Sequence, residues 1–334
     1  MLNIIGSKNH ALEGRVIRRL VCLTERVDDM VAEFDRRVAL GASDISEADA
    51  LESSDPTENR RYQTYKKLLR WCPSVRKLVQ SSADSFELAE LYSKLNRGAD
   101  AARADDTTSL KFIIAVWLMQ MVPTPNPSIQ CQDKYGRGFY HDVTGRLLCP
   151  VDYNWNDATV REAIRSYHPD YCVTSYSWPS FLYKDGQYDA INPTKGFLKG
   201  ELLVKVVKHI FTSPSSAEED PEMLQPDTSA ETPSQVHLPK RRRTAGERRT
   251  RCDLHFALSS AGAWRIIDDD FDHNEFYHNI VDYFELPSSP DAAKDIENLL
   301  LWWNCQVFGC RNVSHYRPQK TSTMSVAMTA RHAQ

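Results

Sequence analysis

The sequence is short of the marks that usually give away a catalyst, a secreted protein or a membrane protein. Cysteine is scarce, eight in 334 residues, far below the density of disulfide-stapled secreted domains, and no Cys-x-x-Cys occurs. The segment Met1–Lys8 has no apolar stretch of signal-peptide length. The longest apolar run, 112–122, is broken by Gln120, whereas a membrane span needs about 20 apolar residues. A mean hydropathy of −0.50 excludes a polytopic membrane protein, so the expected partners include no membrane. An excess of one charge is also missing. The 41 Lys+Arg face 45 Asp+Glu, a net charge of −4, which excludes a histone-like polycation. No Gly-Lys-Ser/Thr phosphate loop, Gly-x-Ser-x-Gly or His-Glu-x-x-His is found. Gly136-Arg137-Gly138 lacks the third glycine of a dinucleotide site. No catalytic residue, cofactor or metal is assigned, and reduced thiols point to the nucleus or cytoplasm.

What is present is helical periodicity. Val16, Leu20, Leu23, Val27, Met30 and Phe34 are spaced alternately by four and three, the seam of an amphipathic helix over residues 1–40. This seam either packs on its own domain or forms a coiled coil that would make a homo-oligomer. Residues 41–56 read as an acidic linker. A helical domain with a small β-containing, aromatic central segment follows over 57–212. Pro73 should end one helix and open the next. Asp106 or Thr107 reads as an N-cap for a helix over Leu110–Met121. Gly138–His141 and Arg146–Cys149, flanking Asp142–Gly145, read as a hairpin. Asn156 or Asp157 should cap a helix reaching Tyr167. Tyr183–Tyr188 carries an Asp-Gly turn, and Leu198–Phe211 an amphipathic helix.

Residues 213–251 break the pattern. Ser213–Pro239 has five prolines, six acidic residues and no Lys or Arg; Lys240–Arg251 has seven basic residues against Glu247 alone. Such a stretch buries too little apolar area to offset its ordering entropy, so it is expected to be a disordered loop. Its two halves cancel in charge, leaving the −4 on the rest of the chain. Helices over Asp253–Trp264, Asn274–Leu286 and Asp291–Phe308 complete the core over 252–308, and a disordered tail follows over 309–334.

The strongest functional signal is the cluster Lys240, Arg241, Arg242 and Arg243, with Arg248, Arg249 and Arg251 behind it. Exposed cations on a flexible strand suit the acidic groove of a nuclear import receptor, and also nucleic-acid phosphates. Cys131, His141, Cys149, His168 and Cys172 offer zinc-type ligands in one region, but nine, seven and eighteen residues separate the first four. Those spacings fit no ribbon or finger, and buried thiols with scattered histidines explain them better. Asp268–Asp270 and Asp272 read as a solvated turn capping the next helix. Lys195, Lys199, Lys205 and Lys208 read as a wet helix face. Trp155, Tyr176, Trp178, Phe181, Tyr183 and Tyr188 read as core, with a peptide groove as the sharper alternative.

Several motifs occur in series: Gly136-Arg137-Gly138-Phe139, Leu148-Cys149-Pro150, Trp178–Tyr183, Lys195–Leu198, Lys208–Ser216, Phe256–Ser260 and Trp302-Trp303-Asn304. Together they resemble a large family of uncharacterised proteins, a domain of unknown function abundant in mushroom-forming fungi, over roughly residues 57–308. The resemblance implies an α-rich domain, often with a basic insertion before the Phe256–Ser260 motif, and carries over no catalytic residue. The chain departs from it between Arg251 and Asp253, where a longer stretch is expected.

The expected architecture is therefore mainly α: one composite helical core interrupted by a disordered loop. The expected function is that of a non-enzymatic nuclear protein-interaction protein, on chromatin or mobile-element DNA. Its partners would be other proteins, an import receptor among them, with nucleic acid reached only through the basic loop. The alternatives are a cytoplasmic protein, and an enzyme with a pocket in residues 131–172.

Overall fold

The N-terminal seam folds inward on its own chain. In the computed structural model, which describes residues 10–42, 47–48, 51, 53–79, 81, 84–213, 215–218 and 240–308 (side chains from 249 in the last stretch), residues 10–16 are helical and run into a π turn, Ile17–Val21; together these form α1. Cys22 is extended, and the chain resumes as α2, Val27–Ala39. The expected single helix over 1–40 is thus two. Of the seam residues, Leu23, Val27 and Met30 are buried in the chain's own core, whereas Val16, Leu20 and Phe34 are half-buried; Ile17 and Val21, one position on from the seam, are buried instead of Val16 and Leu20. One local and one long-range contact fix the break. The Arg18 guanidinium donates to Glu25 O at 2.6 Å. Asn96 supplies the missing cap of α2, accepting from Val27 N–H at 3.0 Å and donating to Asp28 Oδ1 at 2.8 Å.

Helices α3, Pro56–Trp71, and α4, Pro73–Val79, follow, with Asp55 capping the first and Pro73 opening the second. Then comes α5, Ser85–Met119, 35 residues long, about 52 Å of continuous helix at its 1.5 Å rise. Asp84 accepts from Glu87 N–H at 2.8 Å to start it. Asp106 and Thr107, expected to cap a separate helix, lie in its interior. The Thr107 hydroxyl donates back to Arg103 O at 2.8 Å, and Asp106 is buried against arginines of other elements. Where α1 meets α5, both carry glycine. A Cβ on Gly14 would stand 2.4 Å from Leu95 O, and one on Gly98 2.5 Å from Ala11 O. Only glycine lets the two backbones touch. Tyr62, Tyr65 and Leu68 of α3, Met30 and Val31 of α2, and Leu91, Leu95 and Ala99 of α5 close this core.

The central segment is irregular. The expected hairpin at 138–149 is instead a helix, α6, Asp142–Leu148, because the His141 imidazole caps it, Nδ1 accepting from Val143 N–H at 3.1 Å. Helix α7, Ala158–Arg165, starts at Asp157 as expected. The segment's β character is limited to isolated bridges, Pro150 with Pro179 and Tyr183 with Phe197. Asp185 and Gly186 make the Asp-Gly turn with φ of 56° and 64°. Helix α8, Glu201–Phe211, buries Leu203, Val204, Val206 and Val207. Lys208, expected on its wet face, is buried as well.

Helix α9 spans Lys240–Leu258 and packs against α5, α8, the π turn of α1 and the following helix. The basic half of the expected disordered loop is therefore helical. The helix also runs unbroken through Arg251–Asp253, where the resemblance implies extra residues. The acidic half, from 219, lies outside the described residues. A two-strand antiparallel hairpin, β1 Ile267–Asp268 and β2 Phe271–Asp272, leads into α10, His273–Glu285. Asp272 caps α10, accepting from Asn274 and Glu275 N–H at 2.7 and 3.1 Å, as expected of that acidic turn. The expected helix to Trp264 ends at Leu258. A second compact unit contains α11, Pro290–Phe308, whose Ile296, Leu299, Trp303 and Val307 form one stripe. The tail from 309 lies outside the described residues. Helix dominates, the sheet is two strands, and no described helix is long and apolar enough to cross a membrane.

Candidate functional site

An open cleft of about 630 Å³ lies among the end of α5, the segment around α6, the Ser180–Tyr188 turns and the start of α8. Its walls include Trp117, Trp155, Phe181, Tyr183 and Tyr188. Four of these, Trp155, Phe181, Tyr183 and Tyr188, belong to the aromatic set seen in the sequence. The other two go elsewhere: Trp178 packs edge-on to Phe197 at 5.2 Å, and Tyr176 is exposed.

The rings are held by hydrogen bonds behind them. Trp155 Nε1 donates to Asp142 Oδ1 at 2.8 Å, and Trp117 Nε1 to Glu218 Oε1 at 2.6 Å. Tyr183 and Tyr188 meet edge to face at 5.5 Å. The Ser180 hydroxyl donates to Arg146 O at 2.6 Å, and Lys199 N–H to Leu182 O at 3.0 Å, tying the turns to α6 and to the entry of α8. Gly200 is required there, since a Cβ would fall 1.9 Å from Phe181 O. The rest of the polar lining includes the amides of Asn154, Asn156 and Gln187, the cations Arg146 and Lys205, and the carboxylates Asp185 and Glu201.

Among the described residues no histidine lines the cleft, and the one thiol there, Cys149, is pushed up to about 12 by burial. A thiol so protonated at neutral pH is no nucleophile. Apolar and aromatic walls with a few fixed polar groups, at this volume, match the usual make-up of a ligand site.

The basic cluster divides into two parts. The side chains of Lys240, Arg241, Arg242, Arg243 and Arg248 lie outside the described residues. Arg249 and Arg251 do not sit on a flexible exposed strand: both are buried in α9. Arg249 Nη1 is 3.2 Å from Asp106 Oδ2, and its Nε is 3.1 Å from Asp253 Oδ2. Arg19 grips the same Asp106 with Nε at 3.0 Å and an Nη at 2.6 Å. Burial pushes the Asp253 carboxyl up to about 6, against the pull of Arg249. Arg251 lies 5.4 Å from the Phe284 ring. Arg249 is held because α5 and α9 bring acids to it, and Arg251 because α10 brings a ring to it, neighbours that local charge counting does not register.

The zinc-type candidates have separate local roles. His141 caps α6 and its Nε2 faces Pro127 O at 2.7 Å. His168 Nδ1 accepts from Asp170 N–H at 3.2 Å. Cys149 is buried and Cys172 exposed. No group of three or more His, Cys, Asp or Glu that could hold a metal is found among the described residues.

Sequence reasoning missed Lys134 and Arg137. Both are buried and cap the end of α9: Lys134 donates to Phe256 O, and to Ala261 O at 2.6 Å, while Arg137 donates to Ala257 O at 2.8 Å. Cations at a helix C-terminus satisfy its orphan carbonyls and oppose its dipole. Only their place in the Lys134–Gly138 segment beside the glycines hinted at a role.

No curated protein and no solved structure matches the chain. The model of a family of unknown function, DUF6698, matches residues 97–308. That span contains every residue lining the cleft, and the chain belongs to this family.

Proposed function

We propose that the chain is a non-enzymatic protein-interaction module of the nucleus, and that the cleft receives an extended segment of a partner protein. The observation that carries the reading is the lining itself: buried aromatic walls, an amide-rich rim, no histidine among the described residues, and a thiol held protonated. Aromatic side chains give large contact area at low entropic cost, and amides satisfy the polar backbone of a bound strand. Nuclear placement rests on Lys240, Arg241, Arg242, Arg243 and Arg248 as an import signal, with nucleic-acid phosphates as the other use of the same cations. Arg249 and Arg251 leave that signal, because they are buried.

The test compares tagged wild-type protein with a variant carrying Met121→Asp and Tyr188→Ala, both at the cleft. The reading expects reproducible nuclear partners with the wild type and their loss with the variant. Identical partners for both proteins would overturn it. So would a small molecule that co-purifies with the wild type alone, which would favour an enzyme using the 131–172 region. Binding through the basic segment would weaken steeply as salt rises and would be indifferent to the cleft variant.

A further inference from the structure

A second, smaller cavity of about 90 Å³ is lined by residues of α7 and of the β1–β2 hairpin. A site needs only about 10–15 Å³ of such space per water molecule, so this one has room for a compact head group. Five aromatic residues line it: Phe139, Tyr140, Tyr167, Tyr171 and Phe271. Tyr140 and Tyr167 are 63% and 61% exposed and make its solvent side, whereas Phe271 is buried. The same cavity is lined by Asp268, Asp269 and Asp270.

A buried histidine completes the wall. His255 lines the cavity at 5% exposure, and its Nδ1 has no hydrogen-bond partner. That nitrogen is closed off from the open space, so His255 adds a flat neutral wall to the cavity and no hydrogen bond to its occupant. The ring lies against the face of Phe271 at 3.7 Å and beside His273 at 5.2 Å. Burial keeps His255 neutral, so it does not repel a cation. The mouth is also braced by two residues with left-handed backbones, Tyr167 at φ 56° and Asp269 at φ 52°, joined from Tyr167 Oη to Asp269 Oδ2 at 3.0 Å.

The charge selects the ligand class. Aromatic faces attract cations, and three successive carboxylates reinforce them. The one cation in the lining, Arg165, is engaged elsewhere: its Nε donates to Phe139 O at 2.7 Å, and its guanidinium lies 5.7 Å from the Trp155 ring. The Asp268 carboxyl is pushed up by burial and by Asp269, with Lys134, Arg265 and the Ser259 hydroxyl pulling it the other way. We propose that this cavity binds an alkylammonium group, with the rings around its methyl or methylene carbons and the hairpin carboxylates facing its charge. The proposal does not depend on the cleft.

The test is a calorimetric titration of the full chain with choline and with its neutral carbon isostere 3,3-dimethylbutan-1-ol. Choline should saturate a single site and the alcohol should not. Tyr140→Ala and Asp270→Asn, both at exposed positions and checked for fold by circular dichroism, should each weaken choline about tenfold. A peptide bearing one trimethyllysine distinguishes the source. Tighter binding than choline assigns the site to a modified protein tail, and equal or weaker binding to a free small molecule; either supports the ligand class. Equal binding of the alcohol, no saturable choline binding, or wild-type affinity in both variants would overturn the proposal.

Discussion

Arg249 Nη1 lies 3.2 Å from Asp106 Oδ2, both side chains almost wholly buried, and this contact joins α9 to the middle of α5. Arg19 brings α1 to the same carboxylate, so three elements distant in the chain share one acid. Without Arg249 the carboxylate of Asp106 would keep Arg19, but buried Asp253 would lose its ion-pair partner, and stripping one partner from a buried pair typically costs about 3–5 kcal/mol. Arg249→Ala should therefore lower the free energy of unfolding by about that much in urea titration. A change below about 0.5 kcal/mol, the usual range for surface substitutions, would show the pair to be idle.

The same division makes a prediction for localisation. Changing Lys240, Arg241, Arg242 and Arg243 together to alanine keeps good helix formers in α9. A fluorescent fusion of this variant should lose nuclear accumulation while keeping the wild-type melting temperature. Unchanged nuclear accumulation would remove the import reading. An import mutant that also changes Arg249 would be uninterpretable, since the loss of fold would imitate the loss of signal.

Stability should fall on mild acidification. Burial pushes His273 down to about 3 and His278 down to about 4, whereas an unfolded histidine titrates near 6.5. Their contribution is complete above that value and is lost as pH falls through it towards 4, because only the unfolded chain takes up the protons. Asp253, raised to about 6, acts in the opposite sense between about 4 and 6, where only the folded chain holds its proton. Two imidazoles outweigh one carboxyl, so the urea midpoint should drop from pH 7.5 to pH 5. His273→Asn should flatten that slope. A midpoint that rises towards pH 5 would contradict the assignment.

Gly200 has no room for a side chain, with Phe181 O 1.9 Å from any Cβ. Gly200→Ala must push the Phe181 turn away from the start of α8, and overpacking of this kind costs typically about 1–3 kcal/mol. Denaturation of the variant should show that loss, together with weaker partner capture. Wild-type stability would place the turn elsewhere.

Thiol labelling should be ordered by burial. Cys172 is exposed, whereas burial pushes Cys149 up to about 12 and Cys22 up to about 11. Under native conditions Cys172 should alkylate well before Cys22 and Cys149 when peptides are quantified by mass spectrometry. Comparable rates for the three would contradict the packing around α6.

The sequence made legible whatever depends on neighbours along the chain. The caps at Asp157 and Asp272, the break at Pro73, the Asp-Gly turn at Asp185 and the apolar stripe of α11 all follow from local chemistry. What it hid depends on distant partners. The seam over α1 and α2 looked continuous because the cap that starts α2 comes from Asn96. Asp106 looked like a helix start because its arginines arrive from α1 and α9. Arg249 and Arg251 looked solvated because composition counts charge and not the acid or ring that meets it. Four of the cleft's aromatics were legible as candidates. Their arrangement was not, since it rests on α5 and α8 closing over them.

The most direct measurement places a photocrosslinking amino acid at Tyr188, in the cleft, and in parallel at exposed Tyr176, outside it. The account predicts that position 188 crosslinks to one short segment of a nuclear partner and that position 176 does not. Equal crosslinking from the two positions, or none at 188 while the partner still co-purifies, would contradict it.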